Sequence, residues 1–393
     1  MFARFSTARK SVARFFAIAS FAALAACDIT LDPDANVGPQ IDPNDPVKVA
    51  LLVPSGSAQP GDALVARNLE NAARLAIADL EGSQIELTVY NTGGNPTQAA
   101  DAAVTAVNDG AQIILGPLYA EAANAAGVAV AGRNVNVLAF SNNPTIAGGN
   151  VFILGATFDN TANRMVRYAA RQGINRHLIV HAQSLAGEVG RDAITRAVQS
   201  NGGTVAGIES YPLSQQGIVT ATRRIVSTAK TTGAQSIFTT AEASADLPIV
   251  ATMLPEGGVD PETTTFIGLT RWDTLPQLSA LPGVQGGLFA MPDPATAALF
   301  TDRYTANFGE RPHPLAGLSY DGIAAIGALI EAGNAQALTK AALTTPQGFR
   351  GTSGIFRLLP NGMNERGLAV ATIQENQVVT LEQAPRSFGS AGF

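Results

Sequence analysis

The sequence predicts an α/β protein made of two doubly wound parallel-sheet lobes. Three observations carry this expectation. Short runs that are apolar throughout alternate with Ala-rich stretches of helical periodicity, and Gly-, Ser- and Asn-rich turns separate the two. Strands without polar alternation are buried on both faces, which is the signature of a parallel sheet covered by helices on each side. The alternation also comes in two successive series rather than as one fixed repeat. The length of 393 residues suits two globular units at roughly 100–200 residues each. With 46% hydrophobic residues and a net charge of only −6, disorder is excluded as the main state.

In chain order, the first series places strands at 47–53, 85–90, 112–115 and 136–140, with helical stretches at 63–81, 96–109 and 119–132 between them. In the first helix Leu64, Leu69, Ala72, Ala73, Ala76, Ile77 and Leu80 recur at spacings of three and four and make one apolar face. The second series places strands at 177–181, 204–210, 235–239 and 264–268, again separated by helices.

Ahead of both series lies an address. Arg4, Arg9, Lys10 and Arg14 are followed by a run of 12 mostly apolar residues from Phe15 to Ala26. That run falls short of the roughly 20 residues a membrane-spanning helix requires, and it reads as a secretory signal. It ends in Leu24-Ala25-Ala26-Cys27, which resembles the lipobox of bacterial lipoproteins, where the Cys is acylated and becomes the new N-terminus. Cys27 is the only Cys, so no disulfide can form within the chain. Removing residues 1–27 leaves 21 basic against 31 acidic residues, a net charge of −10. That balance disfavours nucleic acid and anionic lipid surfaces as partners. Residues 28–46, with five Asp and four Pro, read as a flexible tether. Asp28 follows the Cys; in enteric bacteria an Asp there retains lipoproteins at the inner membrane, so inner and outer membranes both stay open.

Four separated segments resemble type I periplasmic binding proteins in the family's own order. They are Gly110-Ala111-Gln112-Ile113-Ile114-Leu115-Gly116-Pro117-Leu118, Asn134 to Ser141, Val151-Phe152-Ile153-Leu154-Gly155, and Gly317-Leu318-Ser319-Tyr320-Asp321-Gly322. The resemblance implies two lobes joined by three crossover strands, with a ligand cleft between them and hinge closure over the ligand. Lobe one would comprise 47–155 and 292–345, lobe two 156–291 and 346–376, and 377–393 would be a C-terminal tail. Within that family, Phe349-Arg350-Gly351-Thr352-Ser353-Gly354-Ile355-Phe356-Arg357-Leu358, with Asn361-Gly362 and Glu365-Arg366-Gly367-Leu368-Ala369-Val370, resembles the C-terminal signature of penicillin-binding-protein activators. That likeness implies a lipoprotein, membrane-anchored at Cys27, that regulates a peptidoglycan synthase. Transport receptors carry related glycines near this point, so an ABC permease is the alternative partner.

Ligands at doubly wound sheets bind beyond the carboxyl ends of the strands. The polar groups expected there are Ser55, Tyr119, Ser141, Asn142, Asn143, Gln183, Ser184, Glu242, Arg271, Trp272 and Asp273. Ser and Asn at such places also serve as helix caps. Trp272, the only Trp, suits either stacking on a ligand or packing between lobes. The resemblance also implies an aromatic where Pro60 stands, a Ser near Ala120 and an acid at Thr270. These departures weigh against a leucine-type site, and a small polar ligand is expected in the cleft.

No catalytic reading survives the sequence. Ser227-Thr228-Ala229-Lys230 matches S-x-x-K, but it falls near the C-terminal end of a helix instead of opening one, and no S-D-N or K-T-G accompanies it. His177 and His181 on one strand lie roughly 13 Å apart at 3.3 Å per residue, too far for one metal ion. His313 stands between two prolines. Asp32-Pro33-Asp34-Ala35-Asn36 opens like a calcium loop, but Gly38 comes one position late and Pro43 occupies the twelfth. The expectation is a non-enzymatic binding protein with no metal and no cofactor.

Overall fold

The computed structural model describes residues 38–82 and 84–389. The segment read as a signal, the expected acylation site Cys27, the first part of the expected tether and the last four residues lie outside the described residues.

In lobe one, β1 (Val47–Val53), β2 (Ile85–Asn91), β3 (Ile113–Leu115), β4 (Asn136–Ala139) and β5 (Val151–Ile153) form a sheet in the order β2-β1-β3-β4-β5. Every pairing is parallel. Side chains alternate across a strand, and both faces of β1 are covered. Val49, Leu51 and Val53 pack with Leu69, Ala73 and Ala76 of α1 (Asp62–Asp79). Ala50 and Leu52 meet Ala103 and Ala106 of α2 (Pro96–Asn108) and Ala123, Ala126 and Val130 of α3 (Ala120–Val130). Two-sided burial is the reason β1 is apolar almost throughout. Each fully buried Leu or Ile here contributes about 1.5–3 kcal/mol.

Lobe two takes α4 (Phe158–Arg171), β6 (Arg176–Ala182), α5 (Leu185–Ser200), β7 (Thr204–Tyr211), α6 (Gln215–Thr232), β8 (Ser236–Thr239), α7 (Leu247–Glu256), β9 (Thr265–Gly268) and β10 (Leu288–Met291). Helices α4 and α5 cover one face through Met165, Val166, Ile194 and Val198. The other face carries Ile218, Ile225, Val250 and Leu254 of α6 and α7. The Ser227–Lys230 tetrad falls in the C-terminal part of α6.

The chain then returns to lobe one. Helix α8 (Pro294–Phe308) lies on α1, where buried Tyr304 donates its hydroxyl to Asn68 Oδ1 at 2.9 Å. Helix α9 (Ala316–Glu331) adds Ile323, Ile326 and Ile330 to the lobe-one core, and α10 (Lys340–Leu343) adds Leu343. A small antiparallel sheet follows, of β11 (Phe349–Gly351), β12 (Gly354–Leu358) and β13 (Asn364–Arg366). Finally β14 (Ala369–Gln374) and β15 (Gln377–Glu382) extend the lobe-two sheet, whose order is β15-β14-β10-β9-β8-β6-β7. Strand β14 runs antiparallel to β10, with Met291 opposite Ala369.

Three passes therefore connect the lobes, at 154–157, at 292–293 and at 367–368. The expected partition needs three corrections. Residues 349–358 do not belong to lobe two, because Phe349, Phe356 and Leu358 are buried in the lobe-one core. Residues 377–382 are an edge strand rather than tail. The tether ends earlier than 46: Ile41 is buried against lobe one and donates its N–H to Ala335 O at 2.9 Å, and Gly38 N–H donates to Asn134 Oδ1 at 2.7 Å.

Hairpin β12–β13 locks the first pass in place. Asn364 donates its side-chain N–H groups to Ile153 O at 2.8 Å and Gly155 O at 2.9 Å. Arg366 donates to Leu154 O and, at 2.9 Å, to Asp321 Oδ2 on α9. Between Leu359 and Met363, Gly362 has φ +82° and passes so near β5 that a Cβ would overlap Gly148 N and Val151 O.

Candidate functional site

Topology sets where the cleft must be. The first pass leaves from the carboxyl end of β5, which runs parallel to β4, and the second from the carboxyl end of β10, which runs parallel to β9. The carboxyl ends of both sheets therefore point toward the connecting chain and toward each other. Loops at those ends carry nearly all the residues expected at the site.

On lobe one, Ser55 follows β1, Tyr119 follows β3, and Ser141, Asn142 and Asn143 follow β4. Since β1, β3 and β4 are neighbours, these residues share one rim. Asn142 is exposed there, while Ser141 is buried and its Oγ accepts the N–H of Asn143 at 3.1 Å. Asn143 in turn caps the single-turn helix Pro144–Ile146 through Thr145 N–H. Tyr119 stands at the N-cap of α3 and donates its hydroxyl to Asp62 Oδ1 at 2.5 Å. That bond, with partial burial, pushes the phenol up to about 12.

Sequence reasoning passed over Asp62. It is 5% exposed, begins α1, and its second carboxylate oxygen has no hydrogen-bond partner among the described residues. The available signal was an acidic residue in the first turn of a helix opening at the rim, where the helix dipole favours it. Its partner is 57 positions away, which local pattern cannot supply.

On lobe two, Gln183 and Ser184 follow β6, Glu242 follows β8, and Arg271 and Asp273 follow β9, again on neighbouring strands. Gln183 is exposed and donates to Ser210 Oγ at 3.0 Å. Ser184 caps α5 by accepting Gly187 N–H at 3.1 Å. Gly187 brings that helix so near β6 that a Cβ would overlap the carbonyl of Ala182. Glu242 is exposed, and its backbone N–H is held at 2.7 Å by Asp246 Oδ1. Asp246 is buried and its other oxygen accepts the hydroxyl of Tyr211 at 2.5 Å. Arg271 pairs with its neighbour Asp273 at 2.6 Å. Thr270, where an acid was expected, donates its hydroxyl to Ala241 O at 2.8 Å.

Trp272 is the exception. It is 1% exposed inside the lobe-two core, its ring 5.8 Å from that of Phe289, so it faces neither ligand nor the other lobe. Exposed Arg271 pairs with partly buried Asp273, and the intervening side chain turns inward. His177 and His181 are also interior. His177 is fully buried beside Ser236 Oγ at 2.7 Å, and burial pushes its imidazole down to about 4.

A fold of two facing parallel sheets with polar loops on both rims defines a two-lobed binding protein. The chain belongs to the periplasmic binding protein family, whose pattern it matches over residues 46–377. The family consists of substrate-binding proteins rather than enzymes, and it places the chain in the periplasm. Solved structures agree in fold. A putative branched-chain amino acid ABC transporter protein from Rhodospirillum rubrum superposes with a TM-score of 0.72 at 18% identity, covering 86% of this chain and 100% of that one. A branched-chain amino acid ABC transporter periplasmic ligand-binding protein from Burkholderia xenovorans LB400 gives 0.64 at 17%, covering 86% and 96%. An ABC transporter substrate-binding protein from Desulfitobacterium hafniense, in complex with Leu, gives 0.60 at 17%, covering 86% and 100%. No curated protein matches the chain by sequence.

Proposed function

We propose that the protein is a periplasmic receptor that captures a small polar solute between its lobes and presents it to an ABC permease. The carrying observation is the pair of facing rims, where Asn142, Gln183, Glu242 and Arg271 are exposed polar side chains at the carboxyl ends of neighbouring strands. Support also comes from the solved relatives, one of which holds Leu. In this reading Glu242 supplies the negative charge that Thr270 lacks, and Asn142 with the first backbone N–H groups of α3 faces a carboxylate. A thermal-shift and calorimetric screen of amino acids, amides and short peptides tests it. A cognate solute at a hundred times its Kd raises stability by about 2.7 kcal/mol, and Glu242→Gln weakens it. No shift across the three classes refutes the reading.

The second reading is a lipoprotein regulator of a peptidoglycan synthase, anchored through Cys27. Its support is the Cys27 context and the segment Phe349–Val370. Much of that segment has structural roles common to both readings: Phe349 and Phe356 in the core, Gly362 at the turn, Arg366 at the crossing. It therefore ranks second. Mass spectrometry of the membrane-extracted protein tests acylation at Cys27. A synthase assay with purified protein tests the regulator, and an unchanged rate eliminates it.

A further inference from the structure

Next to the Asn143 end of the lobe-one rim, a cavity of about 460 Å³ lies beside the hairpin that locks the first pass. It shares no wall residue with the cleft set. Pro144 and Thr145 contribute from lobe one, α4 and the end of α5 from lobe two, and the loop between β12 and β13 closes it. This volume is in the range of small-molecule sites, roughly 300–1,000 Å³.

Of the four guanidiniums in its walls, Arg167 alone has no ion pair among the described residues. Arg164 shares Glu382, at 2.8 Å, with Arg171 outside the cavity, while Arg196 pairs with Asp159 at 2.9 Å and Arg366 with Asp321 at 2.9 Å. The remaining wall carboxylate, Glu365, is held by Arg357 at 2.5 Å. Arg167 makes no ion pair among the described residues; its Nε donates to Asn201 Oδ1 at 3.1 Å, and it is half-buried. A guanidinium taken partly out of water favours an anion, and its planar fork matches a carboxylate through two parallel hydrogen bonds. Thr145 and Asn361 add hydroxyl and amide groups to the wall, whereas Pro144, Leu359 and Met363 are its apolar part.

We propose that this cavity is a second ligand site, specific for a small organic monocarboxylate with an apolar body, with Arg167 as its carboxylate anchor. The guanidinium of Arg167, which has no ion pair among the described residues, sets the preference for a carboxylate. The apolar wall sets the preference for an organic acid over an inorganic anion.

Calorimetric titration of the whole protein with phenylacetate and with 4-methylpentanoate tests the site. The uncharged phenylacetamide and inorganic phosphate serve as comparisons. The expected result is saturable binding of both acids, at least tenfold weaker for the amide and for phosphate. Arg167→Gln weakens the acids at least tenfold. Asn163→Asp does the same by a different route. It places a carboxylate four residues before Arg167 on the same helix, so an internal pair replaces the ligand without loss of the fold. Asn142→Ala, on the cleft rim, leaves the affinity unchanged. The proposal is overturned if neither acid binds at 10 mM, if phosphate binds as well as the acids, or if both α4 variants bind like the parent. It is also overturned if binding is lost in Asn142→Ala but kept in Arg167→Gln, a result that assigns the acids to the cleft and leaves the receptor reading standing.

Discussion

The buried pair of Arg366 and Asp321 offers the sharpest energetic test of how the third sheet is held to lobe one. The side chains are 6% and 1% exposed, and their closest atoms lie 2.9 Å apart. Asp321 Oδ1 also accepts Thr352 N–H at 2.7 Å and Thr352 Oγ1 at 3.0 Å. Asp321→Leu thus strands a buried guanidinium whose other hydrogen bonds, among the described residues, go to the single carbonyl of Leu154. The cost of a stranded buried charge is about 3–5 kcal/mol. Arg366→Met costs less, about 2–3 kcal/mol, because Asp321 keeps the two Thr352 donors, each charge-assisted hydrogen bond contributing about 1.5–3 kcal/mol. The double variant puts apolar groups on both sides and recovers part of the loss, as replaced buried pairs commonly do. The expected coupling is about 2 kcal/mol, within the range for residues in contact. Urea unfolding of the four proteins at pH 7 measures it. A cost below 1 kcal/mol for Asp321→Leu, or additive single effects, refutes the reasoning.

Other outcomes follow from the same contacts. His177 has its imidazole lowered to about 4 by burial, against about 6.5 when unfolded, so the unfolded chain binds the extra proton first. Its part of the stability is complete above pH 6.5 and falls by about 1.4 kcal/mol per unit between pH 6.5 and 4; the difference in pH dependence between parent and His177→Gln isolates it. Trp272→Ala costs about 3–5 kcal/mol in denaturant unfolding and leaves solute affinity in the cleft unchanged, since the ring is in the core. The parent's Trp emission is blue-shifted and resists acrylamide quenching, and a solvent-like maximum contradicts the burial. Gly362→Ala destabilises by about 2 kcal/mol or more, because the residue combines a left-handed φ with an overlap on β5; a thermal midpoint equal to the parent's counts against it.

The elements that periodicity can see were legible. Strand β1 spans 47–53 as read, and the other strands of the two series differ by a residue or so at their ends. What escaped depends on partners far along the chain. Strand β15 is a half-exposed edge with little apolar run, and its signal was the turn Glu375-Asn376, where both residues take positive φ as a tight hairpin requires. The small sheet follows α9 and precedes β14, so sequence order allows either lobe. Phe349 and Phe356, with ring centroids 5.6 Å apart, decide it by filling the lobe-one core. At the rims, strand ends placed the polar loops correctly but could not orient individual side chains. Trp272 turned inward onto Phe289, and Asp62 acquired its role only when Tyr119 reached it.

Neither lobe is a continuous stretch of chain, and this constrains how the molecule is made. The core of lobe one waits for Phe349–Leu358, and the sheet of lobe two waits for β14 to shield β10 and for β15 to finish the edge. A chain emerging from its N-terminus can form helices and the early parallel strands, yet it cannot close either core until nearly its last residues are present. Such long-range closure slows folding. It leaves β10 with an unfilled edge that attracts other chains in the meantime. A premature stop shortly before residue 349 therefore produces two incomplete lobes rather than one good lobe and one missing, and neither lobe can be obtained by simple truncation.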